Sequence, residues 1–224
     1  MKETKQNRAK GLDCEFSKLL HKGKWANADI YRTEKDERQS IWKGFSFRSF
    51  WVRWTIGLIL THREVKILKK LRHISGVPNK IKQRCIYCFE YAYLEGTTIG
   101  TISNQQIKLP KSYFLEAEKL LEKMHAQHIV HLDLRRGENW LVQPNNKPAI
   151  IDFQSAAQIK ILPKALQQKL YDIDYSGLYK FWIRLCEEPL TPERQELLDR
   201  VNKMRKFWLM RGYAFKKMRK KKKK

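Results

Sequence analysis

Residues 130–154 constrain this chain more than any other stretch. They run Val-His-Leu-Asp-Leu-Arg-Arg-Gly-Glu-Asn-Trp-Leu-Val-Gln-Pro-Asn-Asn-Lys-Pro-Ala-Ile-Ile-Asp-Phe-Gln. Trp140-Leu141-Val142 and Ala149-Ile150-Ile151 read as strands, and Pro144-Asn145-Asn146-Lys147 between them has the composition of a turn. Such a hairpin sets Asn139 and Asp152 side by side at one end, with Asp133 in the loop before it. This is a donor set suited to phosphoryl transfer. One carboxylate positions an attacking hydroxyl, while an amide oxygen and a second carboxylate hold Mg²⁺ on the phosphates.

The same residues resemble the catalytic core of protein-kinase-like phosphotransferases. His131-Leu132-Asp133-Leu134-Arg135 is similar to the catalytic-loop opening H-R-D-L-K, and Asp152-Phe153-Gln154 stands where D-F-G stands. The resemblance implies an α+β, bilobal protein-kinase-like fold, with a small β-rich N-lobe carrying one helix and a mainly helical C-lobe. It implies ATP and Mg²⁺ as cofactors, Asp133 as catalytic base, and Asn139 and Asp152 as metal ligands. Arg135 lies where the loop lysine sits, and its implied role is to neutralise the migrating phosphoryl group. His131 is expected to be structural. Three departures from the kinase pattern matter. Leu132 replaces the usual Arg, Gln154 replaces the Gly, and Asn139 follows Asp133 by six residues, one more than in ordinary protein kinases. The longer loop is compatible with a bacterial branch resembling lipopolysaccharide core kinases and RIO-type kinases.

That fold requires a lysine on an upstream strand and a glutamate on the next helix. Ser40-Ile41-Trp42-Lys43-Gly44-Phe45 reads as a strand end, paired through a turn at Lys35-Asp36-Glu37 with Asp29-Ile30-Tyr31-Arg32. Residues 51 to about 72 read as a helix, with Leu60, Ile67, Leu68 and Leu71 on one apolar face. Glu64 falls in the middle of that face. An acid there is costly to bury unless paired, and Lys43 is the partner that the resemblance supplies. Lys43 would then hold the α/β-phosphates. Residues 86–96 read as a strand ending in Glu-Gly, similar to the segment that receives adenine, with Tyr93 and Leu94 offering backbone groups. The phosphate-covering loop falls near Leu20 to Ile30, where Gly23 is the one glycine and the usual Gly-rich pattern is missing.

The 224 residues, 42% of them hydrophobic, suffice for one sizeable core or a compact two-lobed unit. The expected division is a polar lead-in over 1–14, a nucleotide-binding N-lobe over 15–95, a C-lobe over 96–215 and a basic tail over 216–224. No run of eighteen apolar residues exists, because Phe50 to Leu60 is short and interrupted by Arg53, so no spanning helix is expected. The polar N-terminus lacks a signal-peptide core, and a cytoplasmic protein is expected. Cys14, Cys85, Cys88 and Cys186 are too scattered for a disulfide framework. Cys85 and Cys88 fall inside the expected strand, where residues three apart face opposite ways, and are read as buried structural cysteines.

Net charge is +24, and eight basic residues fill the last nine positions. Such a tail attracts anionic lipid, with nucleic acid the lesser expectation, and would hold the protein peripherally at the inner membrane. Phe207, Trp208, Leu209, Met210, Tyr213 and Phe215 just before it are expected to pack on the core, with insertion at an interface as the alternative.

Beyond Gln154 the chain reads as short and mostly helical. Pro110 precedes a helix from Ser112 to Gln127, with Phe114, Ala117, Leu121 and Met124 on one face. His125 and His128 are read as helix-end residues. Tyr171 to Leu185 reads as a helix with Asp174 near its start, and another runs from Thr191, with Pro192 at its first position, to about Arg211. Nothing resembles the A-P-E motif or a long activation segment. That favours a sugar, lipid-linked or specialised protein as hydroxyl acceptor. The leading expectation is ATP-dependent transfer to a lipopolysaccharide core sugar or similar acceptor. The alternatives are a RIO-like serine/threonine protein kinase and an inactive kinase-fold module binding membrane or RNA.

Overall fold

The computed structural model describes residues 16–23, 28–35, 38–46 and 49–205. Its first part is a five-stranded antiparallel sheet in the order β1-β2-β3-β5-β4. The strands are β1 (Phe16–His21), β2 (Asp29–Lys35), β3 (Arg38–Gly44), β4 (Lys82–Cys85) and β5 (Cys88–Ala92). Between β3 and β4 the chain is helical. A short turn, α1 (Phe50–Val52), passes through a π-helical stretch, Arg53–Gly57, into α2 (Leu58–Leu71). The apolar face of α2 packs Val65, Leu68 and Leu71 against the sheet residues Phe89 and Tyr91 within one continuous core. The expected acid in that face, Glu64, is buried with them.

The remainder is mainly helical. After β6 (Thr97–Thr98) come α3 (Ile99–Asn104) and α4 (Lys111–Ala126). On α4, Phe114, Ala117, Leu121 and Met124 are fully buried. Next are β7 (Ile129–Val130), the hairpin of β8 (Trp140–Val142) and β9 (Pro148–Ile150), and β10 (Ala157–Gln158). Helix α5 (Lys164–Leu185) and a last helix, α6, over 192–205 complete the described chain. The β8–β9 pair is antiparallel with Trp140 opposite Ile150, and its 3₁₀ turn at Pro144–Asn146 places Asn145 at a φ of 65°. Together the β-rich part and the helical part form a bilobal α+β protein-kinase-like fold.

Helix α6 is tied down by Arg194, whose guanidinium grips both oxygens of Glu118 on α4 at 2.7 and 2.8 Å. Two glycines let helices approach the loop between β7 and β8. A Cβ on Gly177 of α5 would stand 2.7 Å from the Leu134 carbonyl carbon, and one on Gly137 would stand 2.6 Å from the Gly100 Cα of α3. Any larger residue at either position would push that loop off its supports.

Several sequence expectations are corrected. The strand expected over 86–96 is shorter and starts at Cys88, because Ile86 and Tyr87 form a tight turn joining β4 to β5. That turn makes Cys85 and Cys88 cross-strand neighbours, and they are joined as a disulfide. The opposite-face argument failed because it assumed no turn between them. Cys186 is free and buried. Helix α5 begins at Lys164 rather than Tyr171, directly after Pro163, which suits a helix start. Strand β1 occupies part of the stretch expected to be a loop near Leu20. The lead-in with Cys14, the turn at 36–37, the aromatic segment 207–215 and the basic tail lie outside the described residues.

Candidate active site

Strand β3 lies mid-sheet, with Lys43 in register with Ile30 on one side and Phe89 on the other. Its side chain is 3% exposed and emerges against α2. There the ammonium donates to Glu64 Oε1 at 2.8 Å and to Asp152 Oδ1 at 2.6 Å. Three elements far apart in sequence therefore meet at one nitrogen. Burial alone would pull the Lys43 ammonium down, but the carboxylates of Glu64 and Asp152 outweigh it and hold the group charged, well above its ordinary value. Burial pushes the Glu64 carboxyl up, against the pull of Lys43. The Lys43 charge holds Asp152 below the usual carboxylate range, although burial opposes it. Asp152 thus stays ionised on the more open side of the triad. Burial keeps the Tyr91 hydroxyl on β5 neutral beside them.

The β8–β9 hairpin brings Asp152 to Asn139. The backbone N–H of Ile151 donates to the Asn139 carbonyl at 3.0 Å, so the two side chains leave adjacent backbone positions. Asn139 closes a 3₁₀ turn, Gly137–Asn139, and its amide nitrogen donates to the Asp133 carbonyl at 2.9 Å and to Asp133 Oδ2 at 3.2 Å. That orientation turns the Asn139 amide oxygen away from Asp133. The Asp133 side chain is 31% exposed, with the Arg136 guanidinium 3.7 Å away. Asp152 itself has a left-handed backbone, φ 64° and ψ 66°, unusual for a residue with a Cβ. Arg63 of α2 donates to the Gln154 carbonyl just beyond it and fixes that bend.

The loop holding Asp133 hangs from a buried acid that the sequence left without a role. Asp174 on α5 is fully buried. It accepts the backbone N–H groups of His131 and Leu132, each at 2.8 Å, and lies 3.2 Å from His125 Nε2. Leu132 between them has a φ of 67°. The two bonds to a carboxylate hold that strained backbone in place. His131 is structural, as expected. Its Nε2 lies 3.0 Å from the Ile151 carbonyl, its ring stacks edge-on to Phe153, and burial pulls its pKa down. A neutral imidazole with its proton on Nε2 then ties the loop before Asp133 to the strand before Asp152. His125 is stacked on Tyr171 and His128 lies 3.2 Å from Gln167 Oε1, both at the end of α4.

Lys43, Glu64, Asp133, Asn139 and Asp152 are thus connected at one place. Arg135 is not among them. Its guanidinium donates to the Ser176 hydroxyl at 3.1 Å and to Asn202 Oδ1 at 3.1 Å, so it joins α5 to α6 instead of joining the cluster around Lys43 and Asp133. The physical reason is local. Residues 134–136 form a turn, and the side chain two positions after Asp133 leaves on the helical side. The Tyr93 N–H is also committed, to the Gln39 carbonyl at 3.1 Å, which extends the sheet beyond β5. Leu94 lies between β5 and β6, and beside it Tyr93, Glu95, Gly96, Thr97, Val142 and Pro144 line a cleft of about 430 Å³. Gly23 is buried and donates its N–H to Asp29 Oδ1 at 2.9 Å, closing the β1–β2 end, while residues 24–27 are outside the described set.

No protein-family model matches the chain. A stretch of 96 residues, 41% of the chain, is 32% identical to a probable serine/threonine-protein kinase of Dictyostelium discoideum. The stretch covers 14% of that relative's length. Among solved structures, the chain is similar to the Rio2 kinase of Chaetomium thermophilum, with a TM-score of 0.60 and 14% identity over 82% of this chain and 63% of that one. The Rio2 kinase–ADP/Mg²⁺–phosphoaspartate complex from the same organism matches with a TM-score of 0.57 and 14% identity, over 82% of this chain and 60% of that one. The likeness to these structures is one of fold.

Proposed function

We propose that this protein is an ATP-dependent phosphotransferase that moves the γ-phosphoryl group of ATP to an alcohol hydroxyl. One observation carries the reading: Lys43 is hydrogen-bonded to both Glu64 and Asp152, Asn139 is hydrogen-bonded to Asp133, and the backbone bond from Ile151 N–H to the Asn139 carbonyl joins the two groups. Lys43, held by Glu64, binds the α/β-phosphates. Asp133, tethered by Asn139, positions the acceptor hydroxyl and takes its proton. Asp152 Oδ2 and the Asn139 amide oxygen are the two oxygen ligands that would hold Mg²⁺. Two protein oxygens suit an ion that keeps its other positions for phosphate and water. Bound there, Mg²⁺ would neutralise phosphate charge. The work of the protein is positioning plus electrostatics. The ADP/Mg²⁺ complex of the Rio2 neighbour supports the same cofactors for this chain.

Two acceptor classes compete. The backbone between Asp152 and α5 holds only one 3₁₀ turn and the two-residue β10, with no long segment for docking a peptide. That supports a sugar hydroxyl, with a lipopolysaccharide core sugar the specific reading. A serine/threonine acceptor of RIO type is supported by the Dictyostelium relative and the Rio2 neighbours. Labelled ATP with Mg²⁺, offered with a core oligosaccharide and with protein acceptors, separates them. Asp133→Asn abolishes transfer and leaves nucleotide affinity nearly intact, while Asp152→Asn loses both. No thermal stabilisation at millimolar ATP-Mg²⁺ would leave the inactive-module reading in its place.

A further inference from the structure

A second surface lies away from this site, on the helical segment leading into α2. Trp51 is 75% exposed, Ile59 63%, Phe50 57% and Trp54 49%. The aromatic rings adjoin one another. Phe50 stands 5.8 Å from Trp51 and 6.0 Å from Trp54, and Trp54 stands 6.5 Å from Tyr87 at the β4–β5 turn, where Ile86 is also exposed. The side facing the protein is fixed by Gly57, whose lack of a Cβ lets Phe45 pack directly on the helix. The exposed rings are therefore the outward face of a seated segment. A contiguous apolar face of this kind, on a chain with 31% charged residues, marks a contact surface.

Charge selects the partner. No Asp or Glu occurs between Phe45 and Arg63, whereas Arg48 and Arg53 do; Arg63 turns instead to the Gln154 carbonyl. Glu64 and Glu90, the acids on the adjoining elements, are taken by Lys43 and Arg84. Arg53 lies over the Tyr87 ring at 5.3 Å, among the aromatics. Exposed Trp and Phe flanked by arginines, with acids missing, is the chemistry of a helix lying in an anionic bilayer interface. No helix among the described residues is long and apolar enough to cross a membrane. A second copy of the chain would bring two like-charged surfaces together at a net charge of +24 each.

We infer that the segment from Phe50 to Ile59 is an interfacial anchor that inserts Phe50, Trp51, Trp54 and Ile59 into the headgroup region of a bilayer containing anionic lipid. It acts independently of the basic tail. The tail supplies attraction that salt screens, whereas the anchor supplies apolar burial that salt does not.

The test uses the full-length chain with vesicles of phosphatidylcholine alone and of phosphatidylcholine with phosphatidylglycerol, at low salt and at roughly 0.5 M salt, where exposed charges are largely screened. The wild type binds the anionic vesicles and retains measurable binding at high salt. Trp51→Gln/Trp54→Gln lowers the high-salt partition at least about tenfold, as expected for removing two inserted aromatics, with its Tm unchanged. Brominated acyl chains quench part of the wild-type tryptophan emission, and the double variant loses that part. The ATP-Mg²⁺ thermal shift is the same in both proteins, so this result stands or falls apart from the phosphotransferase reading. Loss of all wild-type binding at high salt overturns the inference in favour of the tail, and equal binding retained by the two proteins at high salt overturns it because these aromatics then contribute nothing. A wild-type dimer that becomes a monomer on substitution, with vesicle binding unchanged, overturns it in favour of self-association.

Discussion

Asp174→Asn removes the support of the Asp133 loop while changing almost no volume. Asp174 is fully buried and gives one oxygen to the His131 N–H and the other to the Leu132 N–H, each at 2.8 Å. An asparagine keeps one acceptor and turns an NH₂ group toward the other donor. One hydrogen bond to an ionised acceptor, about 1.5–3 kcal/mol, is lost, and a buried N–H is left unpaired at a further cost of about 1–3 kcal/mol. Relaxation of the loop recovers part of this, because Leu132 at φ 67° no longer has to hold a strained backbone. A net loss of roughly 3 kcal/mol corresponds to a Tm decrease of about 6–12 °C for a chain of this size. Below the new transition, kcat falls about tenfold or more because Asp133 is misplaced. Nucleotide affinity stays within about threefold, since Lys43, Glu64 and Asp152 hold one another. Differential scanning calorimetry and a nucleotide titration read both effects. Adding Leu132→Gly to the variant restores about 1 kcal/mol, because glycine adopts positive φ without a Cβ clash. A Tm change under about 2 °C for Asp174→Asn would refute the reasoning, since the loop would then stand without its buried acceptor.

Lys43→Ala and Glu64→Ala are expected to be strongly non-additive in kcat/KM, because Glu64 acts through Lys43. The double variant should lose little more than Lys43→Ala alone, and additive losses in a double-mutant cycle would show that the two act separately. Arg135→Lys should lower stability by about 1–2 kcal/mol through the lost bonds to Ser176 and Asn202. It should leave kcat/KM near the wild-type value; a large loss of turnover with an unchanged Tm would return Arg135 to the phosphoryl group.

The sequence exposed those parts of the site that break a local rule. Glu64 was legible because an acid in the middle of an apolar helix face demands a partner, and the structure supplies Lys43 at 2.8 Å. Asn139 and Asp152 were legible because a short hairpin with turn residues fixes its two ends relative to each other. The fold expectation came from the resemblance of residues 131–154 to a kinase catalytic core, and Lys43 and Glu64 were then found where that resemblance required them. Asp174 was illegible for the converse reason. It sits in a helix among Asp172, Tyr175 and Ser176 with nothing local to mark it, and its partners are backbone groups 42 and 43 residues away. Arg135 misled because position in a motif says where a side chain starts and not which way it leaves a turn. Its direction is set by Gly177, which brings α5 against Leu134 and puts Ser176 within reach of the guanidinium. The cysteine pair misled in the same way, because two residues of turn between Cys85 and Cys88 reverse the parity argument that holds along an unbroken strand. In each case what stayed hidden was a tertiary contact to a backbone group or a change of direction at a turn, and neither leaves a periodic trace in the residues themselves.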